Sequence, residues 1–490
     1  MTSFVEAARR EKLVELLKRG VVPFAYRFDR TGPVQAALEA FRLDDPTMHR
    51  LAGRLILLRS MGKTTFGHLE DRSGNIQVYF KVDDVGSDAY EVVKLLDLGD
   101  VIGVEGPLFR TRTGEVTVRV QRFSLLTKSL RPLPLGKEDA NGVRHGELSD
   151  PELRARQRYA DLAVHPDVRD VFRLRARAIG YIRTFLDARG YLEVETPVLQ
   201  PVYGGASARP FVTHYEALDS DVYLRIADEL YLKRCIVGGL EKVYEIGHDF
   251  RNEGMDRFHN PEFTMAEWYE AYADYEVMLQ LTETMLSGLV QELFGTTTLE
   301  RHGATLDFKQ PFARKDYYAL VRETAAIDLT RATEAELRAA LKRKEVAEAD
   351  TVAAAQLVDE VFKSYVEPTL IQPTFVLDYP VTLSPLAKLK RGDATRVERW
   401  ELFVQRRELA NAFSELNDPD EQRRRFEQQA RLRAAGDVEA QHLDEDFIRA
   451  LEYGMPPTGG VGLGVDRLLM VLADQPHIRD VILFPMLRPE

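Results

Sequence analysis

The sequence predicts a multidomain α/β protein, in which a small β-barrel precedes a larger domain built on a mainly antiparallel sheet flanked by helices. Three observations support this fold class. The chain has 490 residues, which favours more than one domain. Short alternating or β-branched runs fill residues 48–128, and helical and strand patterns alternate after residue 151. We therefore expect an all-β domain followed by a mixed one.

The chain opens with an N-terminal helical extension, residues 1–47. Apolar residues at helical spacing predict an amphipathic helix over 4–19, and Gly20 ends it. From 48 to 130, runs such as TFGHLEDRSGNIQVYF are split by Gly, Asp and Asn, which predicts about five strands of a small barrel. Such a barrel can bind oligonucleotides, although the pattern alone favours a barrel of no particular function.

A linker is predicted at 131–150, because this stretch is rich in Pro, Gly and polar residues. The larger domain then spans 151–490. It begins with a long helix, PDVRDVFRLRARAIGYIRTFLDARG, which stops at Gly190, and with YLEVETPVL as a strand that ends near Pro197. An Ala-, Glu- and Arg-rich stretch predicts a helical insertion at 331–365.

Composition narrows the class of protein. The formal charge is −12, of which residues 1–150 contribute +2 and the rest −14, and this distribution argues only weakly about a nucleic-acid partner. A single cysteine excludes a disulfide framework and a zinc cluster. No run of about 18 uncharged apolar residues and no signal-peptide core are visible. We therefore expect a cytoplasmic protein without a membrane span.

The stretch FRNEGMDRFHNPEFTM at 250–265 combines charged and aromatic residues. We expect two antiparallel strands joined by a polar loop, with Arg251 and Glu253 on one face because they are two residues apart. A guanidinium suits a phosphate, the ring of Phe263 suits a purine base, and His259 suits a terminal phosphate. The stretch predicts a nucleotide site on a sheet; the alternative is a hairpin with a surface salt bridge between Arg251 and Glu253.

The stretch TGGVGLGVDRLLM places glycines alternately along a predicted strand, at 460, 462 and 464. Alternating glycines leave one strand face bare, so a flat ligand or another backbone can approach closely. Arg467 follows at the junction with a helix. The spacing does not fit the dinucleotide-binding fingerprint.

The stretch RWELFVQRRELANAFSELND predicts a hairpin with its turn at Gln405-Arg406. Phe403 then faces Glu408, and Glu401 lies diagonal to Glu408 on the same face. Two such carboxylates repel unless a cation lies between them, and oxygen ligands favour Mg²⁺. The alternative is a pair of exposed strand glutamates.

The same hairpin needs an irregularity if it is to build one pocket. Strict alternation places Asn411, Phe413 and Glu415 on the opposite face from Glu408. A β-bulge near Ala410 would bring all of them to one face.

Together, GYLEVETPVL, FRNEGMDRFHNPEF and GVGLGVDR resemble the three signature motifs of the class II aminoacyl-tRNA synthetases. On that resemblance, motif 1 covers about 172–200, motif 2 about 243–270 and motif 3 about 458–472. The barrel resembles the OB-fold anticodon-binding domain of the subclass for lysine, aspartate and asparagine. GGASARPF, ELYLKR, EWYEAYADY, SPLAK, ANAFSELND and RDVILFP match the lysine-specific members, and the resemblance runs from about residue 50 to the end.

The resemblance implies site residues by their places in these motifs. The ATP site would comprise Arg251, Glu253, His259, Asn260, Phe263, Glu401, Glu408 and Arg467. The lysine site would comprise Gly205, Glu229, Arg251, Glu267, Tyr269, Asn411, Phe413 and Glu415. Arg251, His259 and Arg467 would be catalytic, and Glu401 and Glu408 would bind Mg²⁺. In the barrel, the anticodon contacts would be Arg54, Phe66, Gln77 and Glu115; Phe66 is equally compatible with a barrel core position.

The implied activity is the ATP-dependent activation of L-lysine and its transfer to tRNA(Lys), by a homodimer formed through the catalytic domain. The residue chemistry independently favours lysine, because a buried ammonium needs carboxylates and Glu229, Glu267 and Glu415 supply them. The alternatives are a paralogue that lysylates a protein and a non-catalytic nucleic-acid-binding relative. The barrel argues against the first, and the presence of Arg251 and Arg467 argues against the second.

Some positions depart from the family pattern. Gln405, Arg406 and Arg407 occupy a turn where glycines are expected, and Ala410 and Ala412 stand where many relatives carry glycine. Asp228 stands where proline is common. These departures bear on loop geometry and leave the implied ligand set unchanged.

Overall fold

The structure is a computed structural model that describes residues 4–138, 144–346, 349–434 and 443–489. Parts of the linker and of the helical insertion predicted from the sequence lie outside these ranges. Two compact units make up the chain: Met1–Asp150 with Tyr159–Val164, and Pro151–Arg158 with His165–Glu490.

The first unit is mainly β. Its strands are β1 His49–Met61, β2 Thr64–Asp71, β3 Gly74–Lys81, β4 Val101–Gly106, β5 Leu108–Arg110, β6 Val116–Arg119, β7 Arg122–Thr127, β8 Leu135–Glu138 and β9 Arg144–Glu147. Its helices are α1 Phe4–Lys18, α2 Val34–Ala40, α3 Val82–Val85 and α4 Ser87–Val93. Seven strands form one sheet in the order β5-β6-β3-β2-β1-β4-β7. About five were predicted; one extra division falls at Pro107, which has no N–H to continue a ladder.

The predicted first helix is confirmed, but its packing differs from the expectation. Phe4 and Leu17, two of its apolar positions, are 89% and 55% exposed, whereas Leu16 is buried. The buried side of the helix also carries Arg9, whose guanidinium donates to the carbonyl of Leu98 at 2.8 Å. The extension is therefore anchored by an arginine as well as by apolar contact.

The segment predicted to be a linker contains a hairpin. Strands β8 and β9 pair antiparallel, with Leu135 opposite Glu147. The Pro- and Gly-rich composition of this segment indicates turns, but it did not predict the two short strands.

The second unit holds the remaining elements. Its strands are β10 Leu192–Glu193, β11 Leu199–Gln200, β12 Val212–Tyr215, β13 Ser220–Leu224, β14 Lys242–Phe250, β15 Glu262–Ala271, β16 Thr298–Arg301, β17 Ala304–Asp307, β18 Ala313–Asp316, β19 Thr374–Leu377, β20 Leu389–Lys390, β21 Asp393–Val397, β22 Arg399–Val404, β23 Arg407–Ser414 and β24 Thr458–Gly464. Its helices are α5 Pro151–Arg156, α7 Pro166–Asp187, α8 Glu229–Val237, α9 Tyr275–Phe294, α10 Tyr317–Ala325, α11 Glu334–Arg343, α12 Leu357–Tyr365, α13 Pro419–Ala434, α14 Glu445–Glu452 and α15 Val465–Leu472; α6, Arg158–Val164, crosses the unit boundary.

Eight strands form the central sheet, in the order β10-β14-β15-β24-β23-β22-β19-β18. The two end pairs are parallel and the pairs between them are antiparallel, which confirms the expected mainly antiparallel sheet. Helices α7, α9 and α15 contribute to the largest apolar core, which also includes Trp268, Trp400 and Val461 from the sheet. No helix in the described ranges combines the length and apolar character that a membrane crossing requires.

The strand predicted for YLEVETPVL is shorter than expected. Only β10 and β11 are regular, at the two ends of the stretch. Between them, the backbone N–H and the hydroxyl of Thr196 both donate to Glu245 Oε2, at 3.0 and 2.7 Å. Side-chain bonding therefore replaces the ladder here, and Pro197 contributes no N–H to it.

The predicted helical insertion forms two helices, α11 and α12. Helix α11 begins with a capping box, in which the Thr333 hydroxyl accepts from the backbone N–H of Glu336 and the Glu336 carboxylate accepts from that of Thr333. The interval between the helices lies partly outside the described residues.

Candidate active site

The central sheet places alternate residues on two faces with different roles. On β15, Ala266 and Trp268 join the apolar core, whereas Phe263, Glu267 and Tyr269 face a cavity of about 750 Å³. The same alternation applies to β24, where Val461 and Leu463 are in the core and the glycines at 460, 462 and 464 line the cavity. The cavity therefore lies on the sheet face opposite this core.

Of the ATP- and lysine-site residues named from the sequence, all except Glu401 line this cavity: Gly205, Glu229, Arg251, Glu253, His259, Asn260, Phe263, Glu267, Tyr269, Glu408, Asn411, Phe413, Glu415 and Arg467. Arg251 and Arg467, which come from motifs about 200 residues apart, share one cavity.

Motif 2 forms a cationic and aromatic corner of the cavity. Strand β14 ends at Phe250, so Arg251 and Glu253 lie in the following loop and do not share a strand face as predicted. The Arg251 guanidinium carbon lies 5.0 Å from the centre of the Phe263 ring, and Nε donates to the carbonyl of Ile226 at 3.4 Å. The Arg251 guanidinium therefore turns toward these groups, and the surface salt bridge with Glu253 is not formed.

The neighbouring Asn260 is buried and partly unsatisfied. Its Nδ2 donates to the carbonyl of Glu262 at 2.6 Å, while its Oδ1 accepts no hydrogen bond from the described residues. A buried acceptor without a donor is costly. The site therefore suits a ligand that brings an N–H to this corner.

Motif 3 places a second guanidinium next to motif 2. Asp466 Oδ2 accepts from the backbone N–H of Thr264 at 2.7 Å, which ties the start of α15 to β15. Arg467, the next residue, donates through Nη1 to Glu408 Oε2 at 3.2 Å, and its Nη2 lies 3.1 Å from His259 Nε2. Because a guanidinium only donates, Nε2 of His259 accepts and Nδ1 donates to Asp256 at 2.8 Å.

The hairpin of β22 and β23 contains the predicted turn and bulge, and both are confirmed. Gln405 and Arg406 have φ of 51° and 65°, which gives a two-residue hairpin turn of the type that normally favours glycine. Hydrogen bonds hold the turn: the Gln405 side chain donates to the carbonyl of Arg301 at 2.7 Å, and the Arg406 backbone N–H donates to that of Leu370 at 2.6 Å.

The bulge lies at Leu409. Phe403 pairs with Glu408 and Leu402 pairs with Ala410, so Leu409 is the extra residue. The bulge reverses the alternation of β23, and Glu408 and Asn411 therefore both face the cavity.

A group of carboxylates lies beside this hairpin. Glu401 is set behind the cavity wall, where it accepts from the Tyr379 hydroxyl at 2.7 Å and pairs with Arg399. Burial raises the pKa of Glu401 to about 7; Arg399 opposes this rise and Glu408 adds to it. Burial, together with Glu401 and Glu408, raises the pKa of Glu367 to about 8. Three carboxyl groups that disfavour one another's charge fit a divalent cation.

The opposite end of the cavity is acidic and enclosed. Glu415 is 1% exposed, and its two oxygens accept no hydrogen bond of good geometry from the described residues. A Cβ on Gly460 would lie 2.2 Å from Oε1 of Glu415 and 2.3 Å from Cε1 of Tyr269. The bare face of β24 is thus what allows these two side chains to converge. Burial raises the pKa of Glu415 to about 8.

Glu267 adds a further carboxylate next to this end. The Tyr269 hydroxyl donates to its Oε2 at 3.2 Å. Burial, then the charges of Asp249 and Glu229, raise the pKa of Glu267 well above its ordinary value. The carboxyl oxygens of Asp228, Asp249 and Glu267 lie within 4.8 Å of one another. This excess of buried negative charge suits a cationic ligand.

Two residues of this region were missed from the sequence. Lys233 is fully buried and pairs with Glu229 and Glu415. Arg399 donates to Oδ1 of Asn411 at 3.0 Å. Lys233 lies four residues after Glu229 on α8, a helical spacing that could have identified it.

In the first unit, three of the four predicted anticodon residues share one sheet face. The Phe66 ring lies 4.7 Å from that of Tyr79, and Gln77 Nε2 donates to Glu115 Oε2 at 2.7 Å. Phe66 is half-buried and outside the apolar core. Arg54 instead donates to the carbonyl of Gly99 at 2.9 Å. The adjacent Tyr79 was not identified from the sequence.

Two family models match the chain. Residues 150–488 match tRNA synthetases class II (D, K and N), and residues 49–126 match the OB-fold nucleic acid binding domain. The second match agrees with the predicted barrel region of 48–130.

Curated proteins resemble the chain over nearly its full length. It is 52% identical over 486 residues to the lysine–tRNA ligase of Moorella thermoacetica, covering 99% of this chain and 98% of that protein. It is 51% identical to the lysine–tRNA ligase of Pelotomaculum thermopropionicum, with 98% and 94% covered. The lysine–tRNA ligase of Bacillus subtilis is 49% identical, with 98% and 96% covered.

Proposed function

Because this chain belongs to the class II tRNA synthetases of the aspartate, lysine and asparagine group, we propose that it is a lysine–tRNA ligase. It activates L-lysine with ATP to lysyl-adenylate and pyrophosphate, and it transfers the lysyl group to the 3′-terminal adenosine of tRNA(Lys). The main support is that one cavity has guanidinium groups at one end and the buried carboxylate of Glu415 at the other. The oxygens of Glu415 accept no hydrogen bond of good geometry from the described residues.

The cationic end binds ATP. Phe263 stacks on one face of the adenine and Arg467 covers the other, while Glu253 and Asn260 contact its edge. The free Oδ1 of Asn260 supports this assignment, because the exocyclic amine of adenine is a donor. Arg251 holds the α-phosphate together with the lysine carboxylate, and His259 and Arg467 reach the γ-phosphate.

The acidic end binds lysine. Glu415 and Tyr269 receive the ε-ammonium, and Glu229 with the carbonyl of Gly205 receives the α-ammonium. Phe413 packs on the aliphatic stem. Glu267 and Asn411 complete the wall. A substrate without the ε-ammonium leaves Glu415 buried without a hydrogen bond of good geometry and with an ammonium that it shares with Glu229, so the pocket disfavours it.

The chemistry needs no protein nucleophile. The lysine carboxylate attacks the α-phosphorus of ATP and pyrophosphate leaves; the terminal ribose hydroxyl of tRNA then attacks the acyl carbon and AMP leaves. Arg251 stabilises the negative charge that develops at the α-phosphate in the transition state, and Arg467 and His259 orient the departing pyrophosphate. Catalysis is therefore positioning and electrostatic stabilisation.

Amino-acid-dependent ATP–pyrophosphate exchange across all twenty amino acids tests this function. Lysine alone is expected to stimulate exchange strongly. Stimulation by aspartate or asparagine in place of lysine, or no stimulation by any amino acid, contradicts the proposal. Transfer of labelled lysine to tRNA(Lys) rather than to protein then identifies the acceptor.

Glu401 and Glu408 fit a magnesium ion, because they offer only oxygen ligands and because the negative charge of Glu408 adds to the rise that burial causes in the pKa of Glu401. Bound Mg²⁺ supplies charge neutralisation at the ATP phosphates. The Arg399 and Tyr379 contacts hold Glu401 in place, and Arg467 does the same for Glu408.

Replacing Glu408 with glutamine is expected to raise the Mg²⁺ concentration for half-maximal exchange at least about tenfold, because a ligand charge is lost. A Mg²⁺ titration at fixed ATP measures it. The isosteric change Glu452→Gln, at an exposed residue of α14, is the matched control and leaves the titration unchanged. An unaltered titration for Glu408→Gln removes this residue from the metal site.

The first unit reads the anticodon. Phe66 and Tyr79 supply rings for stacking unpaired bases, and Gln77 and Glu115 supply hydrogen bonds to base edges. Arg54 contacts phosphate from the side of the sheet.

Phe66→Ala is expected to raise the KM for tRNA(Lys) about 5- to 100-fold, since stacking on one aromatic contributes about 1–3 kcal/mol. Lysine-dependent exchange, which needs no tRNA, stays at the wild-type rate. Aminoacylation of transcripts with and without anticodon substitutions measures the effect. Equal sensitivity of wild type and variant to the anticodon bases contradicts the assignment.

The protein forms a homodimer through the second unit. Support comes from exposed apolar residues at the end of the motif 1 region and just after it: Leu199 in β11, Val212 in β12 and Leu218 in the turn that follows β12 are 54%, 57% and 68% exposed. A surface of this kind is typical of an interface. Light scattering is expected to give twice the chain mass for the wild type and the chain mass for Leu199→Asp. A monomeric wild type contradicts the proposal.

The proposed location of the enzyme is the cytoplasm, because the proposed activity supplies lysyl-tRNA for translation there.

A further inference from the structure

Lys233 lies in an unusual place for a lysine side chain. It is 0% exposed and sits behind the acidic wall of the cavity. Its Nζ is 2.5 Å from Glu229 Oε1 and 2.5 Å from Glu415 Oε2. A single buried ammonium therefore bridges the two carboxylates that the proposed function assigns to the two amino groups of the substrate.

The bridge joins distant parts of the chain. Glu229 and Lys233 are one helical turn apart on α8, so their contact is local. Glu415 follows β23 and reaches the same ammonium only because the sheet carries it there. Burial disfavours the charged form of Lys233, but Glu229 and Glu415 outweigh it and the pKa of Lys233 is raised. The side chain is therefore a cation.

A purely structural salt bridge is the simpler interpretation. A structural salt bridge does not explain why one positive charge, that of Lys233, faces two carboxylates. Both carboxylates also face the cavity, and the Glu415 oxygens have no hydrogen bond of good geometry within the described chain. Buried ion pairs are weak sources of stability. The arrangement is incomplete without a further cation.

The charges next to Lys233 leave a place for the substrate. When Glu229 and Glu415 are both ionised, they bring two negative charges to the single ammonium of Lys233. The ammonium groups of a bound lysine supply further positive charge at this end of the cavity, while Arg251 remains for the carboxylate. Without Lys233, the two neighbouring carboxylates repel each other in the empty site, and the charge of one is removed by a proton.

We propose that Lys233 is a positioning and specificity-determining residue, whose ammonium fixes the carboxylates of Glu229 and Glu415 relative to each other, so that one is placed for each amino group of lysine. This inference rests on the proposed function of the cavity. Lys233 touches the two carboxylates and not the substrate, so it acts on lysine binding rather than on the chemical step.

Lys233→Met tests the proposal, because methionine nearly keeps the length of the side chain and removes its charge. The KM for lysine in ATP–pyrophosphate exchange is expected to rise about 10- to 100-fold, as for the loss of a hydrogen bond to a charged group. The KM for ATP and kcat change less than threefold. The preference for lysine over norleucine, which lacks the ε-ammonium, falls by a similar factor.

Lys233→Gln provides a second neutral variant that retains hydrogen-bonding capacity, in case methionine impairs folding. Lys242→Met is the matched control, because Lys242 pairs with Glu270 at 2.6 Å on the same sheet and lies outside the cavity wall. Thermal melting confirms that each variant is folded.

The outcomes separate the two proposals. If the wild type shows no lysine-dependent exchange, the proposed function fails. If the wild type is active and a folded neutral variant keeps the lysine KM and the preference over norleucine, the role of Lys233 is refuted. A fall in kcat alone, or an equal rise in the KM values for lysine and ATP, also refutes it, because general structural support would produce those results.

Discussion

Replacing Arg251 with alanine is expected to lower kcat for lysine-dependent exchange by about 100- to 1,000-fold, the usual effect of removing one group that stabilises developing charge. The KM for lysine is expected to rise as well, because the proposed site uses the same guanidinium for the substrate carboxylate. In the structure, Arg251 lines the cavity, and its guanidinium carbon lies 5.0 Å from the centre of the Phe263 ring.

Steady-state exchange at varied lysine and ATP measures both parameters. Arg449→Ala is the matched control, since Arg449 is an exposed arginine of α14 paired only loosely with Asp446 at 3.3 Å. Arg251→Lys keeps the positive charge but loses the planar fork, so it is expected to recover only part of the activity. A rate within tenfold of wild type for Arg251→Ala would exclude Arg251 from the reaction centre.

Glu415→Gln is expected to lower kcat/KM for lysine by about 100- to 1,000-fold, because an ammonium that enters a buried site without its carboxylate is left uncompensated. The substitution is isosteric, so packing is preserved. The effect falls mainly on the KM for lysine, and the KM for ATP stays near its wild-type value.

The same variant gives a second readout. Glu415 has its pKa raised to about 8 by burial, so in the empty site it is largely protonated below that pH. Binding of an ammonium favours the ionised form, and lysine binding therefore releases a proton and weakens as the pH falls from 8 to 6. Calorimetry in buffers of different ionisation enthalpy is expected to show this release in the wild type and a smaller release in Glu415→Gln. Equal proton release in both proteins contradicts the assignment.

Local patterns predicted the hairpin of β22 and β23 well. The turn at Gln405-Arg406, the pairing of Phe403 with Glu408 and the need for a bulge all follow from counting residues along one strand pair. The bulge was predicted near Ala410 and falls at the adjacent Leu409. Such features are decided within about ten residues, where sequence carries most of the information.

Longer segments were predicted less well. The stretch YLEVETPVL has strand propensity, but Thr196 donates its backbone N–H and its hydroxyl to the Glu245 carboxylate, and this interrupts the strand hydrogen bonding. Helix α1 has the predicted length, yet Phe4 and Leu17 are exposed and Arg9 is buried. In each case a partner far away in the chain determined the outcome, and periodicity does not report such a partner.

The sequence by itself determined the class of fold and the order of the motifs, because strand alternation and motif spacing are local properties, and its resemblance to the class II synthetases implied the set of charged and aromatic residues that line the cavity. Only the tertiary structure decided that Lys233 bridges Glu229 and Glu415, that Glu401 lies behind the wall and that Glu367 joins the carboxylate group. These relations depend on distances between separate segments of the chain, such as those of Lys233 with Glu415 and of Tyr379 with Glu401, and on burial, which sets how strongly their charges interact.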